Sequence, residues 1–378
     1  MTHLNYLEKL LDGEIVEWIA LGDVTLIKTG QAVSKQAIST NPGQYPVINS
    51  GKEPLGFIDK WNTDNDPIGI TTRGAGVGSI TWQEGKYFRG NLNYSVTIKD
   101  SANLEVRYLY HLLHQMQSAI QSLCTFDGIP ALNAGSLKGL EIPIPCPDNP
   151  EKSLAIQAEI VRILDAFTAM TAELTAELNM RKKQYNYYRD QLLSFEEGEA
   201  VRPMSIGEIY DFQYGKGNTI PKEGGQYPVY GSNGVVGTHH EYNSEDSPVI
   251  GHIGAYAGIV NWGKGKHFVT YNGVICKHKS KEVHPQFAYY ILLAQDFGSK
   301  AKNSSQPFVS YETLKEPVVL IPSLAEQARI VAILDKFDAL TNSITEGLPR
   351  EIELRQKQYE YYRDLLLSFP KSHSDEAA

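Results

Sequence analysis

The sequence has few of the features that mark membrane, secreted or zinc-binding proteins. No stretch approaches 18 consecutive apolar residues, which excludes a membrane-spanning helix of ordinary length. Residues 1–11 show no basic segment followed by an apolar one, so we expect no secretion signal. The three cysteines, Cys124, Cys146 and Cys276, lie far apart and form no Cys-x-x-Cys pair. Such usage is typical of a reducing cytoplasm and argues against a disulfide framework and a zinc site.

Motifs of cofactor-dependent enzymes are equally scarce. The sequence contains no Gly-Lys-Ser/Thr phosphate loop and no Asn-Pro-Pro-Tyr motif of the kind that amino-methyltransferases use. The glycine-rich run 73–78 resembles a nucleotide-binding loop, but a dinucleotide site needs a helix after its glycines. The next residues, 79–82, are strand-like. We therefore predict a tight β-turn at 73–78 rather than a cofactor site.

Histidines and carboxylates give no clear metal or acid–base site. Four histidines of the second half of the chain are candidate metal ligands: His239, His240, His252 and His267. They lack the spacing of metal ligands, so we favour surface or DNA-facing histidines and keep a metal site as the alternative. The carboxylates at 64–66 and 127 have no partner that would make them an acid and a base, and we expect them in solvated loops.

The net charge of −9 also lacks the basic excess of many DNA-binding proteins, but it is unevenly distributed. Residues 21–145 and 203–322 each contain 10 basic and 10 acidic residues, which leaves 15 of the 35 basic and 24 of the 44 acidic residues for the remainder. The acidity thus lies in the segments with helical patterns. A neutral domain can still bind DNA if its basic residues share one face.

The chain contains a long internal repeat. Residues 44–47, Gln-Tyr-Pro-Val, recur at 226–229; 160–167 recur with two changes at 330–337; and 183–190 recur with one change at 357–364. These helical segments are nearly identical, whereas the globular parts share only scattered Gly, Pro and aromatic positions. This pattern predicts two similar modules. It indicates a common partner or architecture for the helices and a different ligand for each globular part.

The helical segments follow a heptad spacing. A seam of mostly apolar and aromatic residues, with Thr171 and Arg181 among them, recurs at intervals of four and three from Ile160 to Phe195. No Gly or Pro interrupts 153–195, which predicts one continuous helix. The second copy has four additional residues. Gly347 and Pro349 lie at that insertion, where we predict a break, with the glycine suited to a helix C-cap and the proline to a first turn. The two heptad segments should pack antiparallel as a spacer.

The globular parts have the pattern of short strands. We predict strands at 68–72, 79–82, 249–251 and 258–262 and short helices at 106–124 and 285–297. The predicted fold class is α+β, with two similar β-rich domains separated by two long antiparallel coiled-coil helical regions. The predicted boundaries are 1–20 for an N-terminal segment, 21–145 for the first domain, 146–202 for the central helical region, 203–322 for the second domain and 323–378 for the C-terminal helical region.

Polar and basic residues in predicted loops are the candidates for reading DNA. Arg suits guanine edges and Asn suits adenine edges, whereas Lys, Ser and Thr more often contact phosphates. In the first module the candidates are Lys28, Thr29, Ser34, Lys35, Ser50, Arg73, Arg89, Asn91 and Asn93. In the second they are Lys216, Asn218, Lys222, Ser232, Asn233, His252, Tyr256, Tyr271 and Asn272.

The repeated helical motifs resemble a known family. Ile-Val-x-Ile-Leu-Asp-x-Phe followed by Lys-Gln-Tyr-x-Tyr-Tyr-Arg-Asp-x-Leu-Leu-Ser-Phe looks like the helical regions of type I restriction-modification specificity subunits. The Thr-Ala-Glu-Leu tandem at 171–178 resembles the IC group in particular. The start of the chain, 4–22, resembles the end of the first helical region, since 10–11 and 13–14 match 192–193 and 198–199. The resemblance covers the whole chain and implies a circular, pseudo-twofold organisation.

The resemblance also implies function and partners. It predicts a non-catalytic cytoplasmic subunit that reads a split, asymmetric site in double-stranded DNA, one half per domain. It implies that the helices recruit two methyltransferase subunits and, through them, the restriction and motor subunits. No cofactor is expected on this chain, because S-adenosylmethionine, ATP and Mg²⁺ would bind those partners.

Two other functions remain open at this point. A methyltransferase that carries its own recognition domains is disfavoured by the missing cofactor and catalytic motifs, and binding of S-adenosylmethionine by the purified chain would revive it. A coiled-coil adaptor that binds only proteins is disfavoured by the divergence of the globular parts. A DNA pull-down separates the adaptor from the DNA-reading subunit.

Overall fold

The computed structural model describes residues 6–51, 53–196, 200–302, 305–343 and 345–371, which form two compact units. The first unit comprises Met1–Glu173 and Ile352–Ala378, and the second comprises Leu174–Glu351. Each unit contains β-sheets, short helices and a share of the long helices. The mixed composition confirms the predicted α+β class.

The first unit contains two four-stranded sheets. Its strands are β1 (Val16–Ala20), β2 (Thr25–Thr29), β3 (Pro42–Ile48), β4 (Phe57–Ile58), β5 (Thr63–Asp64), β6 (Ile68–Thr71), β7 (Ile80–Trp82), β8 (Lys86–Arg89), β9 (Asn93–Ile98), β10 (Cys124–Thr125), β11 (Ala131–Leu132) and β12 (Glu141–Pro145). The sheets have the orders β2-β9-β6-β7 and β4-β3-β8-β5, and β1-β12 and β10-β11 form separate pairs. Strands β3 and β8 run parallel.

The second unit joins the equivalent strands into one sheet. Its strands are β13 (Arg202–Ser205), β14 (Tyr210–Tyr214), β15 (Tyr227–Gly231), β16 (Gly234–His239), β17 (Ser244–Gly251), β18 (Val260–Val269), β19 (Gly273–His278) and β20 (Val318–Ile321). The six-stranded sheet has the order β14-β19-β17-β18-β15-β16, and β13 pairs with β20. The long strand β18 covers the positions of β7 and β8, and its pairing with β15 is again parallel. The strand order is thus common to both units.

The helices include three long ones. They are α1 (Tyr6–Leu11), α2 (Leu21–Val24), α3 (Lys35–Thr40), α4 (Val106–Gln115), α5 (Gln117–Ser122), α6 (Ala134–Lys138), α7 (Pro150–Leu192), α8 (Ile206–Ile209), α9 (Pro285–Ala294), α10 (Tyr311–Lys315), α11 (Leu324–Asn342) and α12 (Gly347–Leu367). The unbroken α7 confirms the predicted continuous helix. The range 106–124, where we predicted short helical structure, contains α4 and α5, which are separated at Met116 and end before Cys124 of β10.

The predicted break lies between α11 and α12. Gly347 has a φ of 73°, and a Cβ there would lie 2.4 Å from the carbonyl oxygen of Ala339, so the position requires glycine. We expected Gly347 to cap the C-terminus of α11. It is instead the first residue of α12, and Pro349 lies in the first turn of α12 as predicted.

The heptad residues pair within each unit. In the first unit the ring of Phe167 stacks on that of Tyr362 with centroids 5.1 Å apart. In the second, the ring of Phe337 packs against those of Tyr185 and Tyr188 at 6.4 and 5.7 Å. These pairs join α7 to α12 and to α11, respectively.

The paired helices run antiparallel in each unit. The indole of Trp18, which faces Pro143 just before α7, donates to the carbonyl oxygen of Pro370 just after α12. The end of α12 therefore lies near the start of α7. In the second unit, Leu192 at the end of α7 lines the same cleft as Ser323 at the start of α11. The predicted antiparallel packing is confirmed.

The N-terminal helix completes the core of the first unit. Leu7 and Leu11 are buried in one cluster with Leu366, Leu367 and Phe369 from the end of the chain. This packing confirms the circular organisation that the resemblance implied.

A buried glutamine anchors each globular part to its long helix. The amide of Gln157 accepts from the N–H of Glu105 at 2.8 Å and donates to the carbonyl oxygen of Asn103 at 3.0 Å. Gln327 makes the same pair of bonds with His284, at 2.7 Å, and Glu282, at 3.0 Å. Because both side chains are fully buried, these bonds fix the helix against the domain in the same way in each unit.

Candidate nucleic-acid interface

Five loops meet at one end of the sheets in the first unit. They are 30–31, 48–51, 72–79, 90–92 and 130–132. Main-chain hydrogen bonds tie them together: the N–H of Gly90 donates to Ile48 O, that of Thr72 to Leu92 O and that of Leu132 to Thr72 O, at 2.7 to 2.9 Å. We call this set the first loop cluster. These main-chain bonds hold the backbone of the cluster and do not involve the exposed side chains.

The second unit repeats this cluster bond for bond. Its loops are 215–218, 230–233, 252–259, 270–272 and 307–309. The N–H of Thr270 donates to Tyr230 O, that of His252 to Asn272 O and that of Val309 to His252 O, at 2.8 to 3.0 Å. These bonds make 72, 90 and 92 equivalent to 252, 270 and 272. We call this set the second loop cluster.

The glycine-rich run forms a tight turn in both clusters. Gly74 and Gly78 have φ values of 93° and 78°, and Gly254 and Gly258 both have 90°. In each copy the second glycine donates back to the end of the preceding strand, and another strand comes next. The predicted turn is confirmed, because a strand rather than a helix begins after the glycines.

The loop clusters bring most of the predicted DNA-reading residues together. Five lie at the first cluster or at the strand end leading into it: Lys28, Thr29, Ser50, Arg73 and Asn91. Seven lie at the second: Lys216, Asn218, Ser232, Asn233, Tyr256, Tyr271 and Asn272. The two serines and Asn272 are half-buried and the others are exposed. The sequence alone does not indicate that these residues share one end of each unit.

Three exposed candidates lie outside the clusters. Ser34 caps α3 by accepting from the N–H of Ala37 at 3.0 Å, and Lys35 is the first residue of that helix. Lys222 lies in the loop before β15, where the N–H of Gly225 donates to Thr238 Oγ1. These residues flank the loops rather than forming them.

Two predicted reading residues of the first unit are interior. Arg89 is 3% exposed, and its guanidinium donates to Asn93 Oδ1 at 2.5 Å, to the carbonyl oxygens of Tyr94 and Asp66, and to the hydroxyl of Tyr87. Asn93 is fully buried beneath it. The expectation that these side chains face DNA is corrected, because their polar groups are used inside the protein.

The electrostatics around Arg89 follow from its burial. Desolvation lowers the pKa of the guanidinium, and the nearby Tyr87 and Asp66 partly offset that effect. Arg89 lines a cleft of about 350 Å³ together with Lys28 and Asp64. The second unit has Val269 at the position of Arg89, within an apolar cluster that includes Val249 and Ile275. The buried guanidinium is therefore particular to the first unit.

An asparagine holds this strand in both units. Asn62 accepts from the N–H of Arg89 at 2.7 Å and donates to its carbonyl oxygen at 3.0 Å. Asn243 makes the same two bonds with Val269, at 2.7 and 2.9 Å. Sequence reasoning missed this clamp, although the spacing of Asn62 and Asn243 is close to that of the glycine and aromatic repeats.

Two of the four histidines are also interior. His252 is 7% exposed, and its Nδ1 lies 3.1 Å from the carbonyl oxygen of Val309. His267 is fully buried, and burial lowers its pKa. The expectation of surface or DNA-facing histidines is therefore corrected for this pair. Among the described residues, no group of three or more His, Cys, Asp or Glu side chains could hold a metal ion.

Aromatic rings surround His252 at the second loop cluster. Tyr214 lies 4.4 Å from the histidine ring and stacks on Tyr311 at 4.3 Å, measured between centroids. Tyr271 meets His252 edge-on at 5.6 Å. Burial raises the pKa of Tyr214 above its ordinary value.

The comparisons with known proteins agree with this architecture. The family described as "Type I restriction modification DNA specificity domain" matches residues 14–181 and 199–354. The specificity subunit of the type I restriction enzyme EcoR124I/EcoR124II of Escherichia coli is 38% identical over 98% of both chains. The EcoprrI specificity subunit of the same species is 35% identical over 92% of this chain and 93% of its own.

A solved structure shows the same fold. The type I restriction-modification S subunit from M. genitalium superposes with a TM-score of 0.62 at 22% identity and covers 95% of this chain and 97% of its own. Within the described ranges, none of the helices combines the length and apolar character needed to cross a membrane.

Proposed function

Because this chain belongs to the family of type I restriction-modification specificity subunits, we propose that it reads a split, asymmetric site in double-stranded DNA. Each loop cluster would contact one half-site, with an unspecified gap between the halves. We assign the recognition domains to 21–145 and 203–322. The family comprises DNA-recognition components rather than catalytic ones, so methylation and cleavage belong to other subunits.

One observation carries this proposal. The two loop clusters share a backbone frame, yet the side chains at equivalent positions differ in chemistry. Arg73 corresponds to Ile253 and Asn91 to Tyr271. A common frame with different side chains is suited to docking on a common structure, the duplex, while reading different bases in each half.

The partners follow from the helical repeats. The helical parts are nearly identical, which favours two copies of one partner, and we propose that these are two methyltransferase subunits. Restriction and motor subunits would join through them. S-adenosylmethionine, ATP and Mg²⁺ would then bind the partners. The regions assigned to this role are 146–202, 323–378 and 1–20.

Exchange of one domain tests the proposal. Residues 21–145 are replaced by the corresponding domain of another family member, and methylated sites are mapped in cells that contain the matching methyltransferase subunits. We expect one half-site to change and the other to persist. Binding of the complex should also weaken steeply with salt, since phosphate contacts release counterions. A footprint without two separate halves, or a simultaneous change of both, would contradict the proposal.

A further inference from the structure

The second loop cluster lacks the side chain that most often reads guanine. Residues 203–322 contain no arginine, whereas the first loop cluster exposes Arg73. Arg or Lys paired to guanine is the commonest specific contact in the major groove. The second cluster can make this contact only through Lys216, so its other base discrimination must use different chemistry.

Its most prominent exposed groups are tyrosine rings. Tyr256 and Tyr271 are both 48% exposed although they lie on loops fixed by main-chain hydrogen bonds. The N–H of Tyr271 donates to Gly217 O at 2.8 Å, and its ring is supported by His252 and by Tyr214 at 5.9 Å. The ring is thus held in place rather than free to turn into solvent.

The first loop cluster has no ring at the equivalent positions. The shared hydrogen bonds place Thr29, Thr72 and Asn91 where the second unit has Tyr214, His252 and Tyr271. The aromatic group is therefore found only at the second loop cluster. It is not suited to a contact that both units would make in the same way, such as a contact with the phosphate backbone.

We propose that the second unit recognises a thymine of its half-site by packing the C5-methyl group of that base against the ring of Tyr271. This inference rests on the proposed function. The thymine methyl is the one apolar group that base pairs present in the major groove, and a supported, exposed ring is its natural counterpart. Stacking of an extruded base on the same ring would cost the energy of unpairing and unstacking, which a methyl contact avoids.

Replacement of thymine by deoxyuridine tests this directly, since it removes only the methyl group. The full complex with its methyltransferase subunits is titrated with duplexes that carry the mapped site, with each thymine of the second half-site replaced in turn. We expect one replacement to weaken binding about fourfold, the value for burial of one methyl-sized group. With Tyr271→Ala the same replacement should have no further effect. Tyr271→Phe should keep the wild-type preference.

Two controls separate the possible outcomes. Tyr242→Ala removes a similarly exposed tyrosine, 46%, outside the second loop cluster and should leave the thymine preference unchanged. Thymines of the first half-site should respond equally in wild type and Tyr271→Ala. The inference is overturned if no thymine of the second half-site shows a methyl effect, or if that effect persists without Tyr271. Absence of any specific second half-site would instead overturn the proposed function.

Discussion

Replacement of Arg89 by methionine should loosen the first loop cluster strongly. The substitution keeps most of the side-chain volume but removes four donated hydrogen bonds from a buried position. It leaves Asn93 Oδ1 and the carbonyl oxygen of Asp66 without these donors. The asparagine is fully buried and cannot recruit water, so the loss is not compensated.

The size of the effect follows from the burial of each partner. Breaking a buried charged pair by removing one partner costs about 3–5 kcal/mol. The side chain of Asp66 is 22% exposed and can be rehydrated, and its oxygen lies 3.8 Å from the guanidinium. The lower end of the range, about 3 kcal/mol, is therefore expected.

Amide hydrogen exchange measures this loss locally. The N–H groups of Gln31 and Gly90 donate to Arg89 O and Ile48 O and report opening of the first loop cluster. A loss of about 3 kcal/mol should accelerate their exchange roughly 100-fold. The matched control is Arg162→Met, which breaks a solvent-exposed pair with Glu159 and should leave the exchange of these N–H groups nearly unchanged.

Two results would refute this reasoning. One is an acceleration no larger than that in the Arg162→Met control, which would mean that the buried network contributes nothing beyond a surface pair. The other is an equal acceleration at Lys216 and Thr270 of the second loop cluster, which would mean that the substitution acts on the whole chain.

Three further predictions concern the helices. Gln157→Ala and Gln327→Ala should each lower the stability of their own unit by roughly 2–3 kcal/mol, because buried main-chain groups lose their partners, and calorimetry should show little change for the exposed Gln226→Ala. Burial lowers the pKa of His111, against the opposing effect of Asp165, so the unfolded chain binds more protons below about pH 6.5. Stability of the first unit should fall as pH falls below that value, and thermal unfolding of His111→Gln should lose this dependence while the exposed His240→Gln keeps it. A third Thr-Ala-Glu-Leu quartet after 171–178 should lengthen α7 by about 6 Å and rotate the rest of that helix by a net ~40°, close to the ~35° of one base pair. Methylation mapping should then show a gap longer by one base pair, and an unchanged gap would mean that the spacing is set elsewhere.

The long helices were predictable because the signals that determine them, heptad spacing and the positions of Gly and Pro, act over a few neighbouring residues. A heptad seam without Gly or Pro determines a helix, and Gly347 with Pro349 determines a break. The division at Met116 was not predictable from such signals, since neither Gly nor Pro marks it. There the chain turns to bring α5 into the core, which is a tertiary effect.

The candidate site was predictable in composition but not in exposure. Arg89, Asn93 and His252 are polar residues in loop-like sequence, and nothing local distinguishes them from Arg73 or Asn91. Their burial depends on partners distant along the chain, such as Asp66 and Val309. A comparison of the two copies at one constant offset also misses the equivalence of Gly30 and Gly215. These glycines lie 185 residues apart, whereas Gly74 and Gly254 lie 180 residues apart.

The way the loops are fixed explains how two half-sites can be read by one frame. Most of the bonds that join each loop cluster run between main-chain atoms, and the clamps Asn62 and Asn243 bond to the main chain of Arg89 and Val269. None of these bonds depends on the side chain at 91 or 271. Substitutions at such exposed positions therefore alter contacts with a ligand at little cost in stability. Substitutions at Arg89 or His252 would instead remove hydrogen bonds of the protein interior and lower stability. The exposed positions are therefore the ones that can differ between the two copies.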